Sequence, residues 1–149
     1  SQVMRAHQSN LRVGRRSLSN HYYHVTFTTL NRQPIFGSLS NARTAINTLK
    51  YSDDKQITHT HCFVIMPDHI HWLFQLKGTS LSQAVQRVKG IISRKLREPI
   101  WQKGFHDHGI RSNESLKEIS RYIIANPIRA GICRSVREYS HWDAIWLKH

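Results

Sequence analysis

Three stretches of the chain are dense in apolar, aromatic and β-branched residues, the composition typical of strands. They are HYYHVTFTTL at 21–30, QITHTHCFVIM at 56–66 and HIHWLFQL at 69–76. Pro67 and Asp68 separate the last two, and both are turn residues. We therefore predict that these two strands are antiparallel neighbours joined by a tight connection.

Three other segments have the residue pattern of helices. SLSNARTAINTLKYS, which follows the first strand, predicts a first helix. A second begins after Thr79 or Ser80 and is closed by Pro99, and a third runs from about 113 to 126 and is ended by Pro127. The resulting order predicts an α+β fold whose antiparallel sheet has helices packed on one face.

The length of 149 residues fits one domain, which we place at 21–149, including an aromatic C-terminal tail, after a basic arm at 1–20. The arm lacks the apolar core of a signal peptide, and no apolar run is long enough to span a membrane. We therefore expect a cytoplasmic protein without a membrane partner.

Charge narrows the choice of partner. The chain has 22 Lys and Arg against 9 Asp and Glu, a formal net charge of +13. Such an excess favours a polyanion, most often nucleic acid. There is no amphipathic helix with a large apolar face to favour a membrane surface instead. Basic composition alone does not separate an enzyme from a packaging protein.

The histidines of the third strand are candidate metal ligands. Alternate residues of a strand face opposite sides, so His69 and His71 share one face while Ile70 and Trp72 lie on the apolar one. Side chains two residues apart on a strand are separated by about 6.5 to 7 Å. Both imidazoles could then bind one metal ion through neutral nitrogens. Two solvated or hydrogen-bonded histidines would give the same pattern.

Two further histidine pairs compete with this one. THTHC contains His59 and His61, and FHDHG contains His106 and His108 in a stretch that resembles a loop. Neither pair brackets an apolar residue in a strongly alternating strand. A four-histidine zinc site built from the THTHC pair and the strand pair stays open, although no cysteine ligand supports it.

Tyr122 and Asn126 are candidates for a nucleophile and a third metal ligand. They lie four residues apart on the predicted third helix and therefore on one helical face. If this helix crosses the histidine face, Asn126 could bind the metal and Tyr122 could attack a phosphodiester, which gives a covalent phosphotyrosine. Tyr122 also fits a packing role beside Ile119 and Ile123.

The motif MPDHIHWLF, followed later by YIIANPIRAGI, resembles the single-tyrosine HUH transposases, and specifically the REP-associated tyrosine transposases. RQPIF, LSQAVQRVKGIISRKL and WQKGFHDHGIRS also resemble segments of that family. The resemblance covers the chain from about Arg15 to about Cys133. One histidine pair is a weak signal, whereas the ordered set of motifs is specific.

This resemblance implies a ferredoxin-like antiparallel sheet with the catalytic tyrosine on a C-terminal helix. It matches His69 and His71 to the metal-binding pair, Tyr122 to the nucleophile and Asn126 to the third metal-ligand position. It further implies that the domain at 21–149 cleaves single-stranded DNA with Mg²⁺ or Mn²⁺ and forms a 5′-phosphotyrosine that permits strand transfer. The implied substrates are hairpins of repetitive extragenic palindromes (REP), and the implied protein is a nucleoid-associated monomer.

Basic and aromatic residues supply candidate DNA contacts. The basic ones are Arg12, Arg15, Arg16, Arg87, Lys89, Arg94, Arg111 and Arg129. Unpaired bases could stack on Trp101, Phe105, Trp142 and Trp146, although core packing is a common role for such side chains.

Two other functions stay open. A non-cleaving protein could bind hairpin DNA with the same surface, but it would not need the whole set of metal ligands and tyrosine. A zinc-dependent hydrolase would cluster its histidines and would have no use for Tyr122.

Overall fold

A computed structural model describes residues 5–7, 20–111 and 113–129, with side chains at 20–111 and 116–125. From the second strand to the fifth, the element order is β-α-β-β-α-β, the ferredoxin-like order. The α+β prediction is therefore confirmed. The elements are β1 (Arg5–His7), β2 (Tyr22–Thr28), α1 (Leu39–Asp54), β3 (Thr58–Met66), β4 (His69–Leu76), α2 (Leu81–Leu96), β5 (Phe105–Ile110) and α3 (Asn113–Arg129).

One antiparallel sheet contains the five strands, in the order β1-β5-β2-β4-β3. β2 and β4 are neighbours, and their register pairs Thr26 with His71 and Thr28 with His69. β3 and β4 are antiparallel neighbours on either side of the Pro67-Asp68 turn, as predicted. The histidine pair therefore lies inside the sheet, with a strand on each side.

The strand β5 departs from the sequence-based prediction, which assigns FHDHG to a loop. It pairs with β2 on one side and with β1 on the other. Only its ends, Phe105 and Ile110, are buried apolar residues, and polar residues and a glycine lie between them. Pairing with neighbouring strands, rather than its own hydrophobicity, holds this segment in the sheet. The short β1 falls in the basic arm, where no strand is predicted.

The helices α1 and α2 cover one face of the sheet. The Ser38 side chain accepts a hydrogen bond from the backbone N–H of Asn41 at the start of α1, and Ser80 and Gln83 form a capping box on α2. The larger core lies between these helices and the sheet. Its largest buried aromatic residues are Trp72, Phe27, Phe36, Phe63 and Phe74.

The helix α3 packs on the opposite face, over a smaller apolar cluster. Ile123 from this helix is buried there with Cys62, Val64, Leu73 and Ile110 from the sheet. The sheet thus separates α3 from the other two helices.

The end of α3 differs from the prediction, since the helix passes Pro127 and ends at Arg129. Pro127 supplies no N–H to the helical hydrogen bonds, but it lies only two residues before the observed end, and helix ends commonly vary by one or two residues. Within the described ranges, no helix combines the length and apolarity needed to cross a membrane.

Candidate active site

Four ring side chains converge on the sheet face that α3 covers. They are His24 from β2, His69 and His71 from β4, and Tyr122 from α3. The ring centroids of His69 and His71 are 5.0 Å apart, and those of His71 and Tyr122 are 6.2 Å apart. The structure therefore brings three predicted site residues together and adds His24 to them.

His71 is enclosed and has two polar neighbours at Nδ1. This atom lies 3.0 Å from Nε2 of His24 and 3.1 Å from Oγ1 of Thr26. Burial, together with the charges of His24 and His69, holds the pKa of His71 well below its ordinary value. The ring is therefore neutral at pH 7. If Nδ1 carries the hydrogen, Nε2 has a lone pair available for a metal ion.

A carboxylate orients His69. The Nδ1 atom of His69 lies 2.7 Å from Oδ1 of Asp68, and Nε of Arg32 donates to Oδ2 of the same carboxylate at 3.0 Å. Partial burial acts to raise the pKa of Asp68, but the hydrogen bonds and charges of His69 and Arg32 outweigh it and lower that pKa. Asp68 is therefore ionised at neutral pH and accepts the Nδ1 hydrogen of His69, so Nε2 is the nitrogen left for a metal.

Tyr122 is accessible as well as close. Its side chain is 41% exposed, whereas the next residue, Ile123, is fully buried. The rings of His24 and His71 meet the ring of Tyr122 edge-on, with centroid distances of 6.4 and 6.2 Å. The helix thus anchors itself through Ile123 and leaves Tyr122 beside the histidines and open to solvent.

The donor set of this face fits a divalent metal ion. Nδ1 of both His69 and His71 has a polar neighbour, the arrangement that fixes the tautomer of metal-binding histidines. Asn126 follows Tyr122 by one helical turn, and its side chain lies outside the described residues. An amide oxygen there would add a ligand of the type that Mg²⁺ and Mn²⁺ prefer. The role of Asn126 stays a prediction.

The four-histidine zinc site is not formed. At 20–111 and 116–125, no group of three or more His, Cys, Asp or Glu side chains could hold a metal ion. His59 is exposed on β3, and His61 meets Tyr22 edge-on at 6.1 Å between centroids. The zinc-hydrolase alternative therefore lacks its ligand set in this part of the chain.

Besides Asp68, a second candidate site residue that the sequence-based prediction misses is His24. It is 3% exposed, and burial, followed by the charge of His108, lowers its pKa to about 4. The alternation of the strand could have indicated its orientation: Val25 and Phe27 belong to the core face of the sheet, so His24 must point to the opposite face. His108 is the partner of His24 in the β2–β5 register, which gives this histidine a place beside the site.

One predicted DNA contact lies near the site. Arg111 is exposed directly after β5, and its charge, after burial, contributes to the lowered pKa of His108. Other predictions fall outside the described residues: Arg12, Arg15, Arg16, the side chain of Arg129, Trp142 and Trp146.

Two more predicted contacts lie far from Tyr122. Arg87 and Arg94 line an open groove of about 1070 Å³ between α1 and α2. These helices cover the sheet face opposite α3. A DNA molecule that reached this groove and Tyr122 together would have to pass around the sheet.

The structure contradicts the prediction that Lys89 contacts DNA. It is 5% exposed, and its Nζ donates to the backbone carbonyls of Gln102 at 3.1 Å and Gly104 at 2.7 Å. Burial lowers its pKa to about 8. Trp101 and Phe105, considered for base stacking, also pack in the larger core. The helical pattern of α2 does not reveal that the following segment folds back over Lys89.

Comparison with known sequences places the chain among transposases. The sequence model of the family described as Transposase IS200 like matches residues 17–126. An uncharacterised protein of Haemophilus influenzae is 27% identical over 150 residues, covering 74% of this chain and 82% of that protein. A candidate REP-associated tyrosine transposase of the same organism is 30% identical over 99 residues, covering 55% and 56%. The chain thus spans about half the length of that second relative.

Two solved structures share the fold. A REP-associated tyrosine transposase bound to a REP hairpin has a TM-score of 0.72 at 22% identity, covering 85% of this chain and 78% of that chain. A candidate transposase from Deinococcus radiodurans R1 has a TM-score of 0.55 at 20% identity, covering 74% and 93%. The ferredoxin-like sheet implied by the ordered motifs is therefore that of these two proteins.

Proposed function

Because the chain belongs to the IS200-like transposase family, as its motifs predict, we propose that it cleaves and rejoins DNA through a covalent bond to Tyr122. The proposed substrate is the single strand beside a DNA hairpin of the REP type. A solved structural relative is bound to a REP hairpin, and a net charge of +13 suits the phosphates of such a partner. The observation that carries the proposal is the 6.2 Å approach of the Tyr122 ring to His71 at an accessible surface.

The proposed reaction is a transesterification at phosphorus. Oη of Tyr122 bonds to the scissile phosphorus while the bond from phosphorus to the 3′ oxygen of the preceding nucleotide breaks. The tyrosine then carries a 5′-phosphate ester, its phenolic proton has passed to solvent, and the released 3′ oxygen has taken up a proton. Attack by a 3′-OH on the phosphotyrosine reverses the exchange and joins two strands.

The side chains around Tyr122 have separate proposed roles. His69 and His71, with Asn126, would hold Mg²⁺ or Mn²⁺, which when bound would polarise the scissile phosphate. Asp68 orients His69 through the contact at Nδ1. The exposure of Tyr122 allows an extended strand to reach the phenol. The proposed metal ligands therefore come from β4 and α3, and the proposed nucleophile comes from α3.

Phosphate contacts are proposed at the arginines. Among the arginines predicted to contact DNA, Arg111 is the described one whose charge acts on His108, a position that suits a strand approaching Tyr122. Arg87 and Arg94 would contact DNA only where the stem reached the other sheet face. The arm residues Arg12, Arg15 and Arg16, and Arg129 after the tyrosine, are retained as proposed contacts. A nucleoid-associated monomer remains the expected form of the protein.

A gel assay with a labelled hairpin tests the proposal. The hairpin carries a single-stranded flank, and it is incubated with Mg²⁺, Mn²⁺ or EDTA and then denatured. We expect a protein–DNA adduct that requires metal and is absent from Tyr122→Phe. The control Tyr51→Phe removes the hydroxyl of a tyrosine of similar exposure, 42% against 41%, on α1, and should form the adduct normally. An adduct that survives in Tyr122→Phe would assign the nucleophile elsewhere.

The same hairpin, used in a native gel as well as in the adduct assay, distinguishes the proposed function from the alternative of a non-cleaving hairpin-binding protein. That alternative predicts tight binding in a native gel and no adduct with either metal. The proposed function predicts that Tyr122→Phe binds the hairpin nearly as well as the parent, because the substitution removes one hydroxyl at an exposed position.

A further inference from the structure

His24 contacts both halves of the candidate site. Its side chain is 3% exposed, and its Nε2 lies 3.0 Å from Nδ1 of His71. The rings of His24 and His71 are tilted by 31° with centroids 5.2 Å apart, and the ring of Tyr122 meets His24 edge-on at 6.4 Å. This one imidazole therefore packs against the candidate metal ligand and the candidate nucleophile.

The short nitrogen–nitrogen distance couples the tautomers of two neutral rings. A hydrogen bond between Nε2 of His24 and Nδ1 of His71 needs one hydrogen, on one of these two atoms. If Nδ1 of His71 carries it, Nε2 of His71 has the lone pair that a metal ion requires. If Nε2 of His24 carries it, the hydrogen of His71 sits on Nε2 and blocks metal binding. The tautomers of the two rings are therefore coupled, and Nε2 of His71 is available when Nε2 of His24 is the acceptor.

We propose that His24 is a positioning residue that accepts a hydrogen bond from Nδ1 of His71 and so keeps Nε2 of His71 available to a metal ion. The inference rests on the proposed function of this face, although it concerns the free protein. It gives each histidine of the pair its own partner at Nδ1, since the carboxylate of Asp68 lies 2.7 Å from Nδ1 of His69. Such partners raise metal affinity by fixing tautomer and ring orientation.

Thr26 is the competing partner, because its Oγ1 lies 3.1 Å from the same Nδ1. A hydroxyl can rotate between donating and accepting, so Thr26 accommodates either tautomer of His71. An imidazole changes its role only by moving a hydrogen from one ring nitrogen to the other. We therefore assign the selection of the tautomer to His24 rather than to Thr26.

Nitrogen-15 NMR of the metal-free, full-length chain measures the tautomer of His71 directly. The parent protein should have His71 with its hydrogen on Nδ1. His24→Leu removes the acceptor and should produce a mixture of tautomers, and His24→Gln, whose amide oxygen can accept, should recover the parent form. Mn²⁺ titration followed by electron paramagnetic resonance should show a Kd raised about 10- to 100-fold in His24→Leu. His24→Gln should lose less affinity, and Thr26→Val should have a smaller effect than His24→Leu.

Three results would overturn the inference. The first is a parent protein with the His71 hydrogen on Nε2, a result that needs no variant to fold. The second is a folded His24→Leu protein with the parent tautomer and parent Mn²⁺ affinity, and the third is a larger loss in Thr26→Val. Tyr122→Phe should leave both readouts unchanged, so a failure of the proposed cleavage reaction is distinguishable from a failure of the role of His24.

Discussion

Lowering the pH from 7 to 4 should destabilise the folded chain, because His24 and His71 are buried as neutral rings. Burial, and then the charge of His108, lowers the pKa of His24 from 6.5 to about 4, and the pKa of His71 is also well below 6.5. Between these values the unfolded chain binds more protons than the folded chain. The free energy of unfolding therefore begins to fall as the pH drops through 6.5 and continues to fall towards 4.

The size of this loss follows from the shift of His24. A change from 6.5 to about 4 corresponds to about 3 kcal/mol of unfolding free energy, because one pKa unit is worth about 1.4 kcal/mol. His71 adds a loss of the same sign. The pKa of Asp68 is lower in the folded chain than in the unfolded chain. Its ionised carboxylate therefore stabilises the fold at pH values above the unfolded-state pKa, and this contribution is lost as the pH falls through the folded-state pKa. Since a domain typically has about 5–15 kcal/mol of stability, these losses are substantial.

Urea unfolding, followed by tryptophan fluorescence at several pH values between 7 and 4, measures the effect. His24→Leu removes one titrating ring and leaves the other histidines in place. Near pH 5 its unfolding free energy should change less steeply with pH than that of the parent, by up to about 1.4 kcal/mol per pH unit. Equal slopes for the two proteins would refute the conclusion that His24 is held neutral in the folded state.

Three further substitutions test separate parts of the structure. Lys89→Met removes an amine that donates to two backbone carbonyls. Urea unfolding should show that Lys89→Met lowers the free energy of unfolding by about 2 kcal/mol, whereas the control Lys95→Met, at an exposed position, lowers it by less than about 0.5 kcal/mol. Similar losses for the two variants would argue against a stabilising role for the buried contacts of Lys89. Asp68→Asn should raise the Kd for Mn²⁺ about tenfold, because the partner of His69 is weakened, and an unchanged Kd would contradict that role. Arg111→Ala should weaken hairpin binding and reduce the slope of log affinity against log salt concentration by about one. An unchanged slope would show that Arg111 is not part of the DNA interface.

Local patterns predict most of this fold because they record burial directly. The alternation in HIHWLFQL separates the core face, with Trp72 and Phe74, from the face that carries the histidine pair. Met-Pro-Asp fixes the antiparallel neighbour relation of β3 and β4. Helical spacing finds α1, α2 and α3 with small errors at their ends, since caps and apolar stripes are local features.

The missed features depend on partners distant in the sequence. β5 has few apolar residues of its own and exists because β1 and β2 pair with it. The helical pattern of α2 indicates an exposed Lys89, whereas in the structure the segment after α2 provides two backbone carbonyls that accept hydrogen bonds from its amine. His24 becomes a site residue only when β2 and β4 are neighbours, a pairing that no local pattern specifies. His69, His71 and Tyr122 could be named as candidates from the sequence, because two histidines on one strand face and a tyrosine on a helix are local patterns, and the structure brings these three side chains together.

The covalent bond to Tyr122 is most directly tested by mass spectrometry of the adduct. Trypsin should release YIIANPIR, residues 122–129, in which Tyr122 is the only tyrosine. After nuclease trimming of a hairpin reaction with Mn²⁺, we predict a nucleotide attached to this peptide, or to the 118–129 peptide if the modification blocks cleavage after Arg121. A nucleotide on a peptide with another tyrosine, or cleaved DNA with every tyrosine unmodified, would contradict the proposed function.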